Sequence, residues 1–412
     1  MPEPSIRHSE AGATVLADRY FATRSLSEAL VAHLSEADAQ LQSMDDASPA
    51  KWHLAHTTWF WETFLLRDQL PGYRLFDDEW RFLFNSYYEA EGPRHTRARR
   101  GMLSRPSLAQ TLEWRAHVDA AMEALLGDPA RADLIELGIA HEQQHQELLL
   151  TDIKHALAEN PLGPAMFGAQ PSHEPAAARP LEWQEHTGGI ALIGHSGETF
   201  AFDNEGPRHR VLLEPFALAN RLVTNSEWAA FIADGGYRTP SLWLSDGWAW
   251  VQREEVGAPL YWCDGAQFTH SGWQERDPEA PVTHISYYEA DAFAQWAGAR
   301  LPTEFEWEAL AQDKDPAGGN QLDVAGPPLP QGSDSLFGDC WQWTRSAYLP
   351  YPRYRPVGGA VGEYNGKFMS GQFVLRGASC ATVRGHSRPS YRNFFYPHQR
   401  WQFTGLRLAR DI

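Results

Sequence analysis

The heptapeptide "HEQQHQE" (141–147) is the part of the sequence whose residue types and spacing point most directly to chemistry. His141 and His145 lie one helical turn apart, so both imidazoles can bind one metal ion. Glu142 completes the H-E-x-x-H pattern of zinc proteases, in which the Glu serves as general base. A metzincin would continue with Gly-x-x-His, whereas this chain continues "QELLLTDIKHAL". Asp152 lies too far along the same helix to share the metal, so the protease interpretation finds little support.

A third ligand is available in an earlier segment, "KWHLAHTTWFWETF" (51–64), which also has helical character. His53 and His56 are three residues apart and share a helix face, so either could cross a bundle to the pair His141 and His145. Three neutral imidazoles leave about half of an octahedral coordination shell open. Such a site suits a redox metal that binds substrates and O2, or a catalytic zinc with a bound water.

Four segments with apolar residues at helical spacing must position these histidines: 25–41, 48–66, 107–126 and 132–157. In the second segment Ser48 is a candidate N-cap, and Pro49 suits the first helical position. A long connection separates the second segment from the third. We therefore predict that residues 13–157 form an all-α four-helix bundle that carries the metal site.

The remaining chain has a different texture. Residues 158–183 are rich in Pro, Gly and Ala, which predicts a linker. From 184 to 412, short β-like runs alternate with Gly/Pro turns and isolated helices, and Thr303 with Glu306 forms a capping box before one such helix. The sequence therefore predicts a multi-domain protein with an irregular α+β domain over 184–412, in which Trp and Tyr side chains can line a pocket.

Charge and cysteine content exclude several classes of protein. A formal net charge of −18 disfavours nucleic acid as the main partner, because phosphate binding needs a net basic face. One basic loop, "GPRHTRARRG" (92–101), is either solvated or holds an anion or carboxylate. Three scattered cysteines form neither a disulfide framework nor a cysteine-based zinc site. No segment has the apolar length of a signal peptide or membrane span, so we expect a cytoplasmic protein without a membrane partner.

Several further segments resemble one enzyme family, the ergothioneine sulfoxide synthases. They are "WHLAH", "LFNSYYEAEGPRH", "HEQQHQE", "FDNEGPRHRVLLEPF", "RLPTEFEWEALA", "VLRGASCAT" and "YRNFFYPHQRWQFTGLRLAR", and together they extend over nearly the whole chain. The resemblance implies a DinB-like helical bundle followed by a domain of the formylglycine-generating, or sulfatase-modifying, type. It also implies a non-haem Fe(II) enzyme that uses O2 to join a sulfur donor to C2 of the imidazole of hercynine (trimethylhistidine), giving a sulfoxide in ergothioneine biosynthesis.

The same resemblance assigns a metal site and a proton donor. Carried over by motif, the Fe(II) ligands are His56, His141 and His145, and His53 becomes a neighbour on the helix face. Tyr87 and Tyr88 in "NSYYEA" match a branch of the family in which a tyrosine lies near the iron. A phenol suits the donation of a proton during O2-dependent C–S bond formation. Because adjacent side chains of an extended segment point in opposite directions, one tyrosine of the two is expected to reach the metal.

The resemblance also implies how hercynine is held. Gln144 matches a residue that contacts the hercynine imidazole, and Asn393 matches one that holds the end with the carboxylate and trimethylammonium. A quaternary ammonium has no hydrogen to donate, so aromatic faces are its natural partners. The candidate aromatic side chains are Phe394, Phe395, Trp401 and Phe403.

One departure from the family pattern bears on which thiol is the sulfur donor. In the actinobacterial branch an Asn-Trp-Asp triplet supplies an acid that helps to hold γ-glutamylcysteine, whereas this chain has Asn-Phe-Phe at 393–395. The missing acid favours free cysteine as the donor. Arg94, Arg97 or Arg100 could pair with the donor's carboxylate, and the sequence does not choose among them.

Three alternatives remain open at this level. Selenoneine synthases resemble the same family and couple hercynine to a selenosugar instead of a thiol. A formylglycine-generating oxidase would use a close pair of cysteines to bind copper, yet Cys340 and Cys380 are far apart in the sequence. A binding scaffold with a structural zinc would need a fourth protein ligand, for which Glu142 and Glu147 are the available carboxylates.

Overall fold

The computed structural model describes residues 10–168, 179–197, 199–358 and 362–412. The chain divides into two compact units, one that reaches to Glu159 and includes Val324–Gly326, and one that comprises the rest. Part of the predicted linker, residues 169–178, lies outside the described residues. The boundaries 13–157, 158–183 and 184–412 therefore stay a prediction.

The described part of the first unit is helical, as predicted. Its helices are α1 (Glu10–Val31), α2 (Glu36–Gln40), α3 (Ala50–Phe60), α4 (Trp80–Phe84), α5 (Leu108–Met122) and α6 (Ala132–Ala158). The long helices pack in the pairs α1 with α6, α3 with α6, and α3 with α5. Apolar side chains between them are fully buried, among them Trp59, Trp61, Trp114 and Ile135.

Two of the predicted helix boundaries are wrong. The segment 25–41 is not one helix, because α1 ends at Val31 and α2 begins after Ser35. The Ser35 hydroxyl accepts from the backbone N–H of Asp38, and the Asp38 carboxylate accepts from the backbone N–H of Ser35, which forms a capping box. The second boundary is the start of α3, which follows Pro49 and leaves Ser48 outside the helix.

Ser48 has other partners than the predicted cap. Its hydroxyl accepts from Nη1 of Arg100 at 2.9 Å, and its backbone N–H donates to Oδ2 of Asp152 at 2.8 Å. At its other end α3 widens into a π-helix, Trp61–Arg67, a form that is often found at functional sites. The start of α3 is therefore fixed by side chains that are distant in the sequence.

A buried ion network ties three helices of the bundle to the fourth. The carboxylate of Glu142 on α6 accepts from Arg24 on α1 at 3.0 Å and from Arg115 on α5 at 2.9 Å. It also accepts from the Ser27 hydroxyl at 2.6 Å and from the indole N–H of Trp61 at 2.7 Å. All four donors converge on one carboxylate that is 0% exposed. The network fixes the rotation of α6 about its axis.

The second unit is an irregular α+β structure, as predicted. Its helices are α7 (Asn225–Ala233), α8 (Ser245–Arg253), α9 (Tyr287–Trp296), α10 (Glu304–Ala311) and α11 (Glu363–Gly366). Its strands are β1 (Trp183–His186), β2 (Gly189–Ile193), β3 (His209–Leu213), β4 (Phe216–Ala219), β5 (Trp262–Cys263), β6 (Ala266–Thr269), β7 (Gly272–Glu275), β8 (Trp341–Ala347), β9 (Phe373–Arg376), β10 (Asn393–Phe395), β11 (Thr404–Gly405) and β12 (Ala409–Asp411).

The strands of this unit form small separate sheets, in the orders β1-β4-β12, β2-β3, β5-β6-β7 and β10-β9-β8-β11. All neighbouring strands are antiparallel except β8 and β11, which are parallel. The core around α7 and α9 is aromatic, with Trp228 stacked on Phe293 at 4.9 Å between ring centroids. The predicted capping box at the start of α10 is confirmed, because Thr303 accepts from the backbone N–H of Glu306.

Charged side chains are also buried in the second unit, next to β10. Arg392 forms a bidentate ion pair with Glu304, with N···O distances of 2.8 and 3.0 Å. Arg376 donates to the same carboxylate at 2.8 Å. These bonds fix the backbone that leads directly into Asn393 of β10. None of the helices in the described parts of the chain has the length and apolarity needed to cross a membrane.

Candidate metal centre

Three imidazoles converge inside the first unit. His56 of α3 and the pair His141 and His145 of α6 each offer a ligand atom, and these atoms all lie within 4.8 Å of one another. His56 is 2% exposed and His141 is 8% exposed. Within the described residues, no fourth His, Cys, Asp or Glu belongs to this cluster. Three ligand atoms without a fourth protein ligand are typical of catalytic metal sites, whereas structural zinc sites have four.

Aromatic rings hold two of the three imidazoles. His56 is stacked on Trp52 and on Trp59, with centroid distances of 4.7 and 5.7 Å and interplanar angles of 12° and 13°. His141 is stacked on Phe60 at 4.5 Å. These stacking residues belong to α3, so the same helix supplies one ligand and orients a ligand of its neighbour.

The environment keeps the three imidazoles neutral, which is the form that binds a metal. Burial lowers the pKa of His141 to about 4. Burial also lowers the pKa values of His56 and His145 well below the ordinary value, and the neighbouring histidines of the cluster add to both shifts. Three neutral nitrogen donors suit a divalent first-row metal such as Fe(II) or Zn(II).

The hydrogen bonding of the Nδ1 atoms differs between His56 and His141. The Nδ1 of His56 lies 2.6 Å from the carbonyl oxygen of Phe84, to which only an N–H can donate, so its Nε2 carries the lone pair. The Nδ1 of His141 is buried and has no hydrogen-bond partner among the described residues. A buried polar atom of this kind is costly unless a ligand satisfies it. The residues present therefore fit a bound metal.

Glu142 is neither a fourth ligand nor a general base in this structure. Burial alone would raise the pKa of its carboxyl, but Arg24, Arg115 and Ser27 together bring the pKa below the ordinary value. Its two oxygens are occupied by the four donors of the buried ion network. The H-E-x-x-H glutamate thus anchors the bundle, which removes the residue that a zinc protease requires.

Arg97 and Arg100 form a cationic wall, and Arg100 lies over the ring of Trp52. The guanidinium carbon of Arg100 is 3.4 Å from the Trp52 ring centroid, and Arg100 is only 4% exposed. Its hydrogen bonds go to the hydroxyls of Ser48 and Ser86, at 2.9 Å each. Burial, together with the charge of Arg97, lowers the pKa of Arg100 to about 9. Among the described residues, no carboxylate lies within ion-pair distance of this guanidinium.

The other predicted residues of the first unit differ in their surroundings. The hydroxyl of Tyr87 accepts from Nη1 of Arg97 at 2.7 Å, and Arg94 pairs with Glu89. Tyr88 is 4% exposed, and its ring contacts those of Trp59, Phe60 and Phe64. Gln144 is half-buried on α6, beside His145. Their roles toward a substrate stay predictions.

The predicted residues of the second unit are Asn393, Phe394 and Phe395, which form β10, and Trp401 and Phe403, which lie between β10 and β11 in the sequence. Asn393 accepts from the backbone N–H of Phe394 at 2.9 Å. Phe394 is stacked on Tyr348 at 4.1 Å and 11°, so one of its faces is covered, and Phe395 packs against the aromatic core. Trp401 and Phe403 are 7% and 0% exposed. The hercynine contacts of all these residues stay predictions.

The cysteines do not support a copper site. Cys340 and Cys380 are both buried and are not joined in a disulfide bond. Burial raises the pKa of the Cys340 thiol well above its ordinary value, whereas a thiolate is the form that binds metal. In the described part of the chain, His56, His141 and His145 form the one group of three or more candidate metal ligands.

The structure adds contacts around the centre that the sequence did not predict. His53 lies 2.9 Å from His145 and 3.1 Å from Asp152, measured between hydrogen-bonding atoms. The sequence carried a signal for Asp152, because it lies seven residues after His145 and hence on the same helix face. Arg100 was one of several arginines in a basic loop, and its burial was not visible in the sequence.

Two family models match the chain. The DinB superfamily matches residues 19–149, and the sulfatase-modifying factor enzyme 1-like domain matches residues 184–324. Together with the helical and α+β units, these matches define a two-domain protein with a DinB-type bundle and a sulfatase-modifying-factor-type domain.

The relatives identify the family. A hercynine oxygenase from Mycolicibacterium thermoresistibile is 34% identical over 416 aligned residues, which cover 91% of this chain and 90% of the relative. A hercynine oxygenase from Mycobacterium tuberculosis is 35% identical, with 93% of this chain and 99% of the relative covered. A formylglycine-generating enzyme from Streptomyces coelicolor is 35% identical, but only 33% of this chain is covered. The chain belongs to the hercynine oxygenase family and is an oxidoreductase.

Proposed function

We propose that the chain is an O2-dependent Fe(II) enzyme that joins cysteine to C2 of the hercynine imidazole and oxidises the sulfur, giving hercynylcysteine sulfoxide. The observation that carries the proposal is the cluster of three neutral imidazoles inside the bundle with no fourth ligand among the described residues, in a member of the hercynine oxygenase family. When bound, Fe(II) supplies open coordination positions and the redox chemistry that O2 requires.

The overall reaction balances without a further reductant. Hercynine loses the hydrogen on C2 and cysteine loses the hydrogen of its thiol, while a C–S bond and an S–O bond form. One oxygen atom of O2 enters the sulfoxide, and the other leaves as water with the two hydrogens. The four electrons that O2 accepts come in two pairs, one from C–S bond formation and one from sulfur oxidation.

The cationic wall supports a donor that carries a carboxylate. A buried guanidinium without a carboxylate partner is unfavourable, and a substrate carboxylate would compensate its charge. Arg100 is such a buried guanidinium, with no carboxylate partner among the described residues. Burial and the positive charge of the nearby Arg97 both lower the pKa of Arg100. We therefore propose that Arg97 and Arg100, with Arg94 at the exposed end of the loop, attract the carboxylate of cysteine.

The tyrosine pair supports an assignment of the proton donor. Tyr87 is half-buried, and Arg97 donates to its hydroxyl, so the phenol is held in place on the cationic wall. The ring of Tyr88 instead packs among Trp59, Phe60 and Phe64. We propose Tyr87 as the residue that donates a proton during C–S bond formation, with Tyr88 as its packing support.

The test is a competition assay on anaerobically purified protein loaded with Fe(II). Hercynine and O2 are supplied with cysteine, γ-glutamylcysteine or a selenosugar, and the products are identified by mass spectrometry. Hercynylcysteine sulfoxide is the expected product, and Tyr87→Phe should divert cysteine toward simple thiol dioxygenation more than Tyr88→Phe does. If the selenosugar is the one donor that gives a product, the donor is a selenium compound and the proposed cysteine donor is wrong. No product with any donor, from protein with tightly bound zinc, would refute the oxygenase function.

A further inference from the structure

His53 and Asp152 link one of the candidate metal ligands to the start of α3. The Nδ1 atoms of His53 and His145 are 2.9 Å apart, and Nε2 of His53 lies 3.1 Å from Oδ2 of Asp152. The same Oδ2 accepts the backbone N–H of Ser48 at 2.8 Å. His53 and Asp152 are 3% and 4% exposed, so water does not compete for these bonds. We call the side chains Asp152, His53 and His145 the relay.

The direction of each hydrogen bond in the relay follows from its acidic end. A carboxylate oxygen accepts, so Nε2 of His53 carries the proton that it donates to Asp152. A neutral His53 then has a bare Nδ1, which must accept the Nδ1–H of His145. His145 is left with its lone pair on Nε2, the nitrogen remote from the relay.

We propose that His53 and Asp152 are positioning residues that fix the tautomer and ring plane of His145, so that its Nε2 is presented to the metal. The inference rests on the proposed metal site, because it assigns a function to the surroundings of that site. Partners of this kind orient metal-bound histidines and make them better ligands. Neither residue is a ligand itself, since the three-histidine cluster excludes both.

The three ligands differ in how they are held, and the difference makes the proposal testable. His56 donates to a backbone carbonyl, which no side-chain substitution removes. His141 has no partner for its Nδ1 among the described residues. Among the described residues, His145 is the one ligand of the three that is hydrogen-bonded to another side chain, so replacing His53 should affect one ligand and leave the other two in place.

The test measures metal binding by the full-length protein, without turnover. Metal-free protein is titrated with Co²⁺ under anaerobic conditions, and the affinity and the visible absorption of the bound ion are recorded. His53→Leu removes both the donor and the acceptor, and should weaken binding by about 10- to 100-fold with a changed absorption spectrum. His53→Gln offers an amide oxygen to His145 and an amide N–H to Asp152, so it should recover at least half of that loss on a logarithmic scale.

A control is available on α5. His117 contacts the rings of Tyr73 and Phe76, away from the relay, so His117→Leu should leave the Co²⁺ affinity unchanged. The proposal is overturned if folded His53→Leu protein binds Co²⁺ within twofold of the wild type, or if His53→Gln binds as weakly as His53→Leu.

Two further measurements separate the possible failures. Circular dichroism of the metal-free variants shows whether they fold. If His53→Leu does not fold, Asp152→Asn, which keeps the volume and removes the charge, takes its place, and an affinity equal to that of the wild type overturns the proposal. A wild-type protein that fails to bind one equivalent of Co²⁺ would instead refute the metal site, and with it the proposed function.

Discussion

Replacement of Glu142 by Gln tests whether the H-E-x-x-H glutamate holds the bundle together. Each carboxylate oxygen of Glu142 accepts from two donors, Oε1 from Ser27 and Arg115 and Oε2 from Arg24 and Trp61. Glu142→Gln keeps one oxygen and replaces the other by an NH2 group, which then faces two donors and can accept from neither. It also removes the negative charge between two guanidinium groups whose side chains are 2% and 0% exposed. Removing one partner of a buried ion pair typically costs about 3–5 kcal/mol. For a unit of this size that corresponds to a decrease in Tm of about 6–20 °C.

The assay is thermal unfolding of the metal-free protein, with Glu136→Gln as the control. Glu136 lies on the same helix and pairs with Arg19 at 2.9 Å, but their side chains are 32% and 46% exposed. An exposed pair of this kind contributes about 0–1 kcal/mol, so the control should unfold near the wild-type temperature. A Glu142→Gln protein that unfolds within about 2 °C of the control would refute the assignment, because such a shift lies below the effect of a broken buried pair.

The pH dependence of the same variant gives a second, independent readout. The pKa of Glu142 is lowered in the folded protein, so its contribution to stability is present above the unfolded-state value of about 4.3. That contribution is lost as the pH falls through the lower, folded-state pKa. Wild-type protein should therefore lose stability on acidification more steeply than Glu142→Gln, and parallel acid profiles would contradict the proposed role.

Three further predictions concern packing, donor binding and metal affinity. Gly138→Ala should lower stability by about 1–3 kcal/mol, because the new Cβ would lie 2.5 Å from the Trp61 ring. Gly127→Ala, whose Cβ meets no atom within 4 Å, is the thermal-unfolding control, and equal Tm values would contradict the packing argument. Arg100→Gln should raise KM for cysteine by about 10- to 100-fold and leave KM for cysteamine, which lacks the carboxylate, nearly unchanged; equal effects on both thiols would exclude a carboxylate contact. Co²⁺ affinity should change by less than about threefold between pH 8 and 6, because burial lowers the pKa of His141 to about 4 and lowers the pKa values of His56 and His145 well below their ordinary value. If the three imidazoles had ordinary pKa values near 6.5, the Co²⁺ affinity would fall about 70-fold between pH 8 and 6. Calorimetric titration distinguishes the two cases.

The helical spacing of the sequence predicted the metal pair but could not choose the third ligand. The i, i+4 spacing of His141 and His145 placed both on one face of α6. His53 and His56 also share a face, and which of them reaches that pair depends on how α3 crosses α6. In the structure His56 belongs to the cluster, and His53 is instead hydrogen-bonded to His145. Helix crossing is a tertiary property, so periodicity alone left the choice open.

The same limit explains the errors at helix ends. Ser48 has the residue type and position of an N-cap, but its hydroxyl accepts from Arg100, which lies 52 residues further along the chain. The break after Val31, in contrast, had a local signal, because Ser35 and Asp38 have the spacing of a capping box. The capping box at Ser35 was thus readable from neighbouring residues. The predicted N-cap at Ser48 failed because hydrogen bonds to residues distant in the sequence determine where α3 begins.

The position of Glu142 shows why a five-residue motif does not specify a reaction. Residues 141 and 142 are about 100° apart around a helix axis, so a glutamate beside a metal-facing histidine can point away from the metal. Here that direction leads between α1, α3 and α5, where four donors hold the carboxylate. To act as a base, Glu142 would have to leave two buried guanidinium groups uncompensated, which costs about 3–5 kcal/mol. The ion network instead fixes the rotation of α6, and that rotation sets the direction in which His141 and His145 face His56. The glutamate of the motif thus serves the metal centre through the helix that carries its ligands.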